Sequence, residues 1–292
     1  MSNKKSIYGI IGLPLQHSLS PLMHNTAFKT LHLNAEYKLF PLPEEELENF
    51  FDELRTTSSP IMGINVTVPY KEKVLEFLDT LSPYAKKAMA VNTITISPNR
   101  NLTGFNTDGP GFLTHLTELG FQPSGKRLAV LGSGGTARAI ISVLCLISER
   151  PHSILVYNRH PEKTQQLLQD LGQRMDTSIV QSVASIDDLN IELSDLLINT
   201  TSVGLNPDDP CLVNLELLHS NMLVYDVIYN PAQTTLLKLA KEKEAQTSNG
   251  LGMLFYQGTL AFQHWMGYEL DYKTKIEMKA VLENGGKNES CG

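Results

Sequence analysis

Residues 128–138 read Leu-Ala-Val-Leu-Gly-Ser-Gly-Gly-Thr-Ala-Arg, followed by an apolar helical stretch from Ala139 to Ile147. A short apolar strand, a glycine turn and a helix make the context in which a chain can hold a dinucleotide. Gly132 suits the tight turn, Gly134 the close approach of a pyrophosphate, and Ala137 the close packing of helix on strand. Ser133, Gly135 and Thr136 complete a loop whose N–H groups, with the helix dipole, would hold phosphates. A plain strand-to-helix turn has the same glycines, so the loop does not decide the matter alone. The next strand ends in Asn158-Arg159, where a domain specific for NAD usually carries Asp or Glu. An acid would repel a ribose 2′-phosphate, whereas a guanidinium pairs with it and stacks on adenine. NADP is therefore the expected cofactor, with a preference on the order of 2 kcal/mol or more from charge-assisted hydrogen bonds.

Other reactive types lie upstream. Ser18 and Ser20 stand in Gln-His-Ser-Leu-Ser-Pro. Ser20 before Pro21 reads as a helix N-cap with proline at N1, and that role would be enough to explain it. Ser18 has no such explanation. Lys71 follows Pro69-Tyr70 and is expected to open a helix running through Val74, Phe77 and Leu78. A lysine in a first turn opposes the helix dipole, although a surface position would also account for it. Asp108 precedes a helix expected from Gly111 to Leu119, where it reads equally well as a cap.

The elements that must position these groups fall into two patterns. Upstream of residue 108, strands are expected at 6–12, 37–39, 62–68, 91–96 and 102–105, the last two forming a hairpin. Helices are expected at 21–31, 44–56 and 83–90. Downstream, strands at 154–157, 179–180, 196–200, 223–226 and 247 alternate with helical segments, the pattern of a doubly wound parallel sheet. Helices are expected at 251–264 and 271–282, then a polar, disordered tail from Glu283. The fold class is α/β: an N-terminal α/β domain, residues 1–107, completed by C-terminal helices, residues 251–292, and a Rossmann-type domain over 108–250.

Composition narrows the function. The 292 residues are 41% hydrophobic and 19% charged, which suits a globular protein with a sizeable core. A formal net charge of −7 argues against a nucleic-acid partner and gives no reason to expect an anionic membrane surface. No apolar run reaches the ~18 residues of a membrane helix, and no signal peptide is expected. Cys145, Cys211 and Cys291 form no Cys-x-x-Cys pair and fit a reducing cytoplasm, Cys145 as a core residue. The eight histidines lack ligand spacing, so no metal site is expected.

Taken together, the motifs from Ile7 to about Trp265 resemble the shikimate dehydrogenase family. They are His17-Ser18-Leu19-Ser20-Pro21, Asn65-Val66-Thr67-Val68-Pro69-Tyr70-Lys71, Val91-Asn92-Thr93 and Gly104-Phe105-Asn106-Thr107-Asp108-Gly109. The second half adds the glycine loop, Asn199-Thr200-Thr201-Ser202-Val203-Gly204, Asp226-Val227-Ile228-Tyr229-Asn230-Pro231 and Gly250-Leu251-Gly252-Met253. The resemblance implies reduction of 3-dehydroshikimate to shikimate with NADPH, on the route to aromatic amino acids. It implies that Ser18 and Ser20, aided by Tyr229, hold the substrate carboxylate. Asn65, Thr67, Asn92 and Gln257 would hold ring hydroxyls, and Lys71 and Asp108 would flank the reacting oxygen. It adds His160, Lys163, Thr200, Val227 and Gly250 to the cofactor residues. A polyhydroxylated ring acid needs such an array of neutral donors and acceptors, and the array discriminates against analogues that lack a hydroxyl.

His160 departs from the Thr common in the family after Asn-Arg, so one contact to the cofactor phosphate is in question. Two other functions fit the motifs less well. A quinate/shikimate dehydrogenase using NAD or NADP is opposed by the Ser18/Ser20 pair and by the absence of an acid at 158–159. A non-catalytic sensor of the same metabolites is opposed by the presence of both Lys71 and Asp108. Expected partners are the small-molecule substrate and NADP, with no nucleic acid and no membrane, while a homodimer is left open.

Overall fold

The computed structural model describes residues 5–206 and 208–288. The chain runs β1 (Ser6–Gly12), α1 (Ser20–Thr30), β2 (Ala35–Pro41), α2 (Leu47–Arg55), β3 (Ile61–Val66), β4 (Thr80–Leu81), α3 (Pro83–Ala88), β5 (Thr93–Ile96), β6 (Leu102–Phe105) and α4 (Asp108–Glu118). It continues β7 (Arg127–Leu131), α5 (Gly135–Leu146), β8 (Ser153–Tyr157), α6 (Pro161–Gly172), β9 (Val180–Ser182), β10 (Leu196–Asn199), β11 (Leu223–Asp226), α7 (Thr235–Glu242) and β12 (Gln246–Ser248). It closes with α8 (Leu251–Met266) and α9 (Tyr272–Asn288). Two units result, Met1–Gly111 with Leu254–Gly285, and Phe112–Met253 with Gly286–Gly292. The chain leaves the first unit within α4 and returns to it within α8.

The first unit is built on a mixed sheet of order β2-β1-β3-β5-β6-β4, parallel from β2 to β3 and antiparallel through β5 and β6. Side chains alternate with period two along a strand. Ile11, Ile64, Val66, Ile94 and Leu102 therefore share one face, packed in a core with Leu47, Phe50, Phe51 and Leu54 of α2. Those four α2 positions have helical spacing, which makes one apolar stripe. Tyr8, Tyr37, Asn65, Thr93 and Phe105 fall on the opposite face, and α1 and α8 supply aromatic side chains against it.

The second unit holds six strands in the order β12-β11-β10-β7-β8-β9, all parallel. The order reverses between β7 and β10, a topological switch point, and ligands bind such sheets outside the carboxyl ends of the strands there. Ala129, Leu131, Leu197 and Val224 build one core with Leu236, Leu237 and Ala240 of α7. The fold is α/β with a Rossmann-type sheet, as the alternation of strands and helices implied.

Several local expectations are corrected. Leu19, not Ser20, is the N-cap of α1, and no side chain caps that helix. Ser20 is its first residue and Pro21 its second, a frame the proline tolerates because the N–H it lacks would be unpaired at either position. Lys71 opens no α-helix: it lies in a turn before a 3₁₀ segment, Lys73–Phe77. The helix expected from 44 divides into a 3₁₀ turn, Glu44–Glu46, and α2. α4 begins at Asp108 rather than Gly111. The expected disordered tail is helical through Asn288; Ser290, Cys291 and the other final residues lie outside the described residues. In this extension Gly285 lies close to α1, where an added Cβ would meet Leu22 Cδ2 at 2.7 Å. Cys145 is buried, and burial pushes its thiol up to about 11.

Candidate functional site

Two carboxyl-terminal strand edges carry the candidate chemistry. In the first unit the antiparallel pairing of β3 with β5 sets Asn65 opposite Thr93. Just before β5, Asn92 turns inward and is 2% exposed. Its Nδ2, which carries two hydrogens, faces three acceptors: Thr107 Oγ1 at 2.8 Å, Asp108 Oδ1 at 2.8 Å and Gln257 Oε1 of α8 at 3.2 Å. Its Oδ1 accepts from the Thr107 N–H at 2.7 Å. Three chain segments far apart in sequence are thus tied together through one amide.

Lys71 reaches the same place from the turn after β3. Its Nζ donates to Asp108 Oδ2 at 2.7 Å, and the two side chains are only 11% and 8% exposed. The two Asp108 oxygens therefore serve different donors, Lys71 and Asn92. The cap of α4 is supplied instead by Asn106, whose Oδ1 accepts from the N–H groups of Asp108 and Gly109 at 3.1 and 3.3 Å. Asp108 is thereby released from the capping role that its position suggested. A buried ammonium–carboxylate pair, with the second carboxylate oxygen met by a neutral amide, is the arrangement low dielectric demands. It can present a proton to one oxygen and hold negative charge beside it.

Of the other residues expected in this site, those of the first unit stand in or next to the loops after β1 and β3. Ser18 follows β1 and is half-buried; Ser20 is buried, and its N–H faces Ser18 Oγ at 3.4 Å. Thr67 follows β3, half-buried, with its N–H on the Ile11 carbonyl at 2.9 Å. Leu13 N–H on the Val68 carbonyl, at 3.1 Å, ties the two loops together. Hydrogen bonds join Lys71, Asp108, Asn92 and Gln257 directly, and Asn65 joins them through the Asn92 carbonyl and through Thr93. Tyr229 lies in the second unit, half-buried on the loop after β11. Sequence reasoning placed Thr93, Asn106 and Thr107 within motifs but gave them no role, although Asn-Thr-Asp between a strand and a helix was a visible polar run.

In the second unit, Gly132 takes φ +104°, a conformation that favours glycine. A Cβ there would collide with Thr200 Oγ1, which itself donates to the Leu131 carbonyl at 2.7 Å. Gly134 is the N-cap of α5, which has no side-chain cap and no acid in its first turn. Open space surrounds the point where its Cβ would stand. Gly135 and Thr136 follow half-buried, and Ala137 is fully buried. Asn158 Nδ2 donates to Ser133 Oγ at 2.7 Å and so links the end of β8 to the glycine turn. Arg159, His160 and Lys163 stand exposed beside it, with His160 Nδ1 3.5 Å from Glu162 Oε1. Gly250 allows the backbone to lie against the Val227 carbonyl. An uncapped helix start, a roomy glycine turn and three exposed basic side chains fit a phosphorylated dinucleotide.

A Rossmann-type unit and a separate α/β unit bearing a buried Lys–Asp pair define a nucleotide-dependent oxidoreductase. Comparison with known proteins gives the family. Residues 10–94 match the model of the shikimate dehydrogenase substrate binding domain. The chain is 39% identical to the NADP(+) shikimate dehydrogenase of Methanopyrus kandleri, with 96% of each chain covered. It is 42% identical to that of Geobacillus kaustophilus, covering 90% of this chain and 93% of the relative. Among solved structures, shikimate 5-dehydrogenase of Thermus thermophilus, in complex with NADP(H) and shikimate, superimposes with a TM-score of 0.81 at 34% identity. That match covers 96% of this chain and 99% of the other. The chain belongs to the shikimate dehydrogenase family.

Proposed function

We propose that this protein catalyses the reversible, NADPH-dependent reduction of 3-dehydroshikimate to shikimate. The observation that carries the reading is the buried Lys71–Asp108 pair, 2.7 Å apart and held by Asn92. Bound NADPH supplies hydride to the ring carbonyl carbon. Lys71 delivers the proton that the developing alkoxide oxygen needs, and its charge stabilises that oxygen until transfer. Asp108 stays ionised, orients the ammonium and accepts a hydrogen bond from the new hydroxyl. In the oxidative direction Lys71 takes the hydroxyl proton. Ser18, Ser20 and Tyr229 hold the carboxylate, while Asn65, Thr67, Asn92 and Gln257 read the hydroxyls.

The first unit is the substrate domain and the second the cofactor domain. Gly132 to Ala137 would hold the pyrophosphate, and Thr200, Val227 and Gly250 would complete the cofactor site. Arg159, with Asn158, His160 and Lys163 around it, receives the 2′-phosphate. Among the described residues no helix is long and apolar enough to cross a membrane. A cytoplasmic location is the reading that the cysteine usage supports. A homodimer is kept as a reading for light scattering to decide. The discriminating experiment crosses shikimate and quinate with NADP+ and NAD+, following nicotinamide absorbance. Turnover of shikimate with NADP+ far above the other three combinations supports the proposal. Preferred turnover of quinate with NAD+ overturns it, and ligand binding without turnover makes the protein a sensor.

A further inference from the structure

The face of the first sheet that carries Asn65 also carries a residue to which neither the motifs nor the proposed reaction assign a role. Tyr37 on β2 is 2% exposed, and its hydroxyl lies 2.7 Å from Asn65 Oδ1, two strands away across β1. The polarity of that contact is determined by its surroundings. The other end of the Asn65 amide faces the Asn92 carbonyl at 3.0 Å, a group that only accepts. That end must therefore be Nδ2, and its second hydrogen goes to Thr93 Oγ1 at 3.1 Å. Oδ1 is left facing Tyr37, which donates. Both Asn65 hydrogens are thus committed to protein, and the accepting position left to the amide is the second lone pair of Oδ1.

Tyr37 is itself immobilised. Its backbone exchanges two hydrogen bonds with the Asn25 side chain of α1, at 2.8 and 3.1 Å. Its ring stacks on His24, with centroids 4.6 Å apart and planes 16° apart. Trp265 of α8 packs against both rings. The space for that indole exists because Gly63, two residues before Asn65, has no side chain.

We propose that Tyr37 is a positioning residue: it fixes the Asn65 amide so that the substrate meets an acceptor there and must offer a hydroxyl donor. The inference rests on the proposed contact between Asn65 and a ring hydroxyl, so the experiment tests both separately. Tyr37→Phe removes the hydroxyl and retains the ring on His24, so folding should be preserved. Asn65→Ala and the double variant complete a cycle. Kinetics are measured for shikimate and NADP+ separately, together with Tm.

Loss of one such neutral bond predicts kcat/KM for shikimate about tenfold lower in Tyr37→Phe, carried by a higher shikimate KM. The NADP+ KM should stay within about twofold, and the double variant should be no worse than Asn65→Ala. Unchanged shikimate kinetics in Tyr37→Phe, a loss shared equally by NADP+, or effects that multiply in the double variant would each overturn the inference and leave the site reading intact. Asn65→Ala with normal kinetics would refute the contact itself, and the inference with it. Should Asn65→Ala fail to fold, the shikimate-versus-NADP+ split in Tyr37→Phe decides alone.

Discussion

Replacing Asp108 by Asn changes one atom and one charge at the centre of the buried network. The carboxylate accepts from two donors, Lys71 on Oδ2 at 2.7 Å and Asn92 on Oδ1 at 2.8 Å. An amide has only one accepting oxygen, so one donor must face an NH₂ group. Asn92 can lose its contact more easily, because its Nδ2 also reaches Thr107 Oγ1 and Gln257 Oε1. The new amide should therefore keep its oxygen toward Lys71. What disappears is the charge of the acceptor, not the bond, which stays charge-assisted through Lys71. The loss is the attraction of the ion pair, about 4 kcal/mol at ~4 Å in an effective dielectric of ~20. If about half of that attraction is felt in the transition state, kcat should fall about 10- to 100-fold. Lys71→Ala removes the donor itself and should lower kcat by about 100-fold or more. The assay is steady-state nicotinamide absorbance, with cofactor affinity measured independently by fluorescence. Both variants should bind NADPH normally. A Lys71→Ala enzyme with near-normal kcat and only a raised shikimate KM would make Lys71 a binding residue and place the proton donor elsewhere.

Arg159→Ala should erase most of the preference for NADP+ over NAD+, a change of about 30-fold in the kcat/KM ratio if the guanidinium contributes about 2 kcal/mol; an unaltered ratio would show that Arg159 is idle. Gly132→Ala forces a Cβ onto Thr200 Oγ1 at a positive φ; about 1–3 kcal/mol of stability should be lost, with weaker NADPH binding, and normal Tm and affinity would contradict the strain argument. Burial pushes His24 from 6.5 down to about 3, so between those values the unfolded chain binds the proton and the folded chain does not. The contribution is intact above pH 6.5 and is lost as pH falls toward 3, costing about 2 kcal/mol between pH 7 and 5, or roughly 4–8 °C in Tm. His24→Phe should lose that part of the acid sensitivity, and an identical pH slope in the variant would refute the assignment.

Patterns carried by single segments were legible in the sequence, and relations between segments were not. The bounds of β1 and β11 follow from apolar runs closed by turn residues, and the parallel sheet follows from their alternation with helices. Lys71 and Asp108 are 37 positions apart, and no periodicity relates a turn after one strand to the first turn of a helix. Only the family resemblance suggested that they meet. Where local signals were ambiguous, tertiary contacts decided. Ser-Pro fits a helix start in two frames, and the structure uses the one that leaves Ser20 inside α1. The spacing of Val74 and Phe77 suits a 3₁₀ turn as well as an α-helix. Asn106 and Asp108 are both good caps, and Asp108 is drawn away because a buried ammonium needs a carboxylate more than a helix end needs a second acceptor. The C-terminus makes the same point in reverse. Gly285 and Gly286 are poor helix formers, which argues for a break after Leu282. At Gly285 the helix comes close to α1, and an added Cβ would lie 2.7 Å from the end of the Leu22 side chain. A cost of roughly 1 kcal/mol in propensity is outweighed where the absence of a Cβ lets α9 lie close against α1.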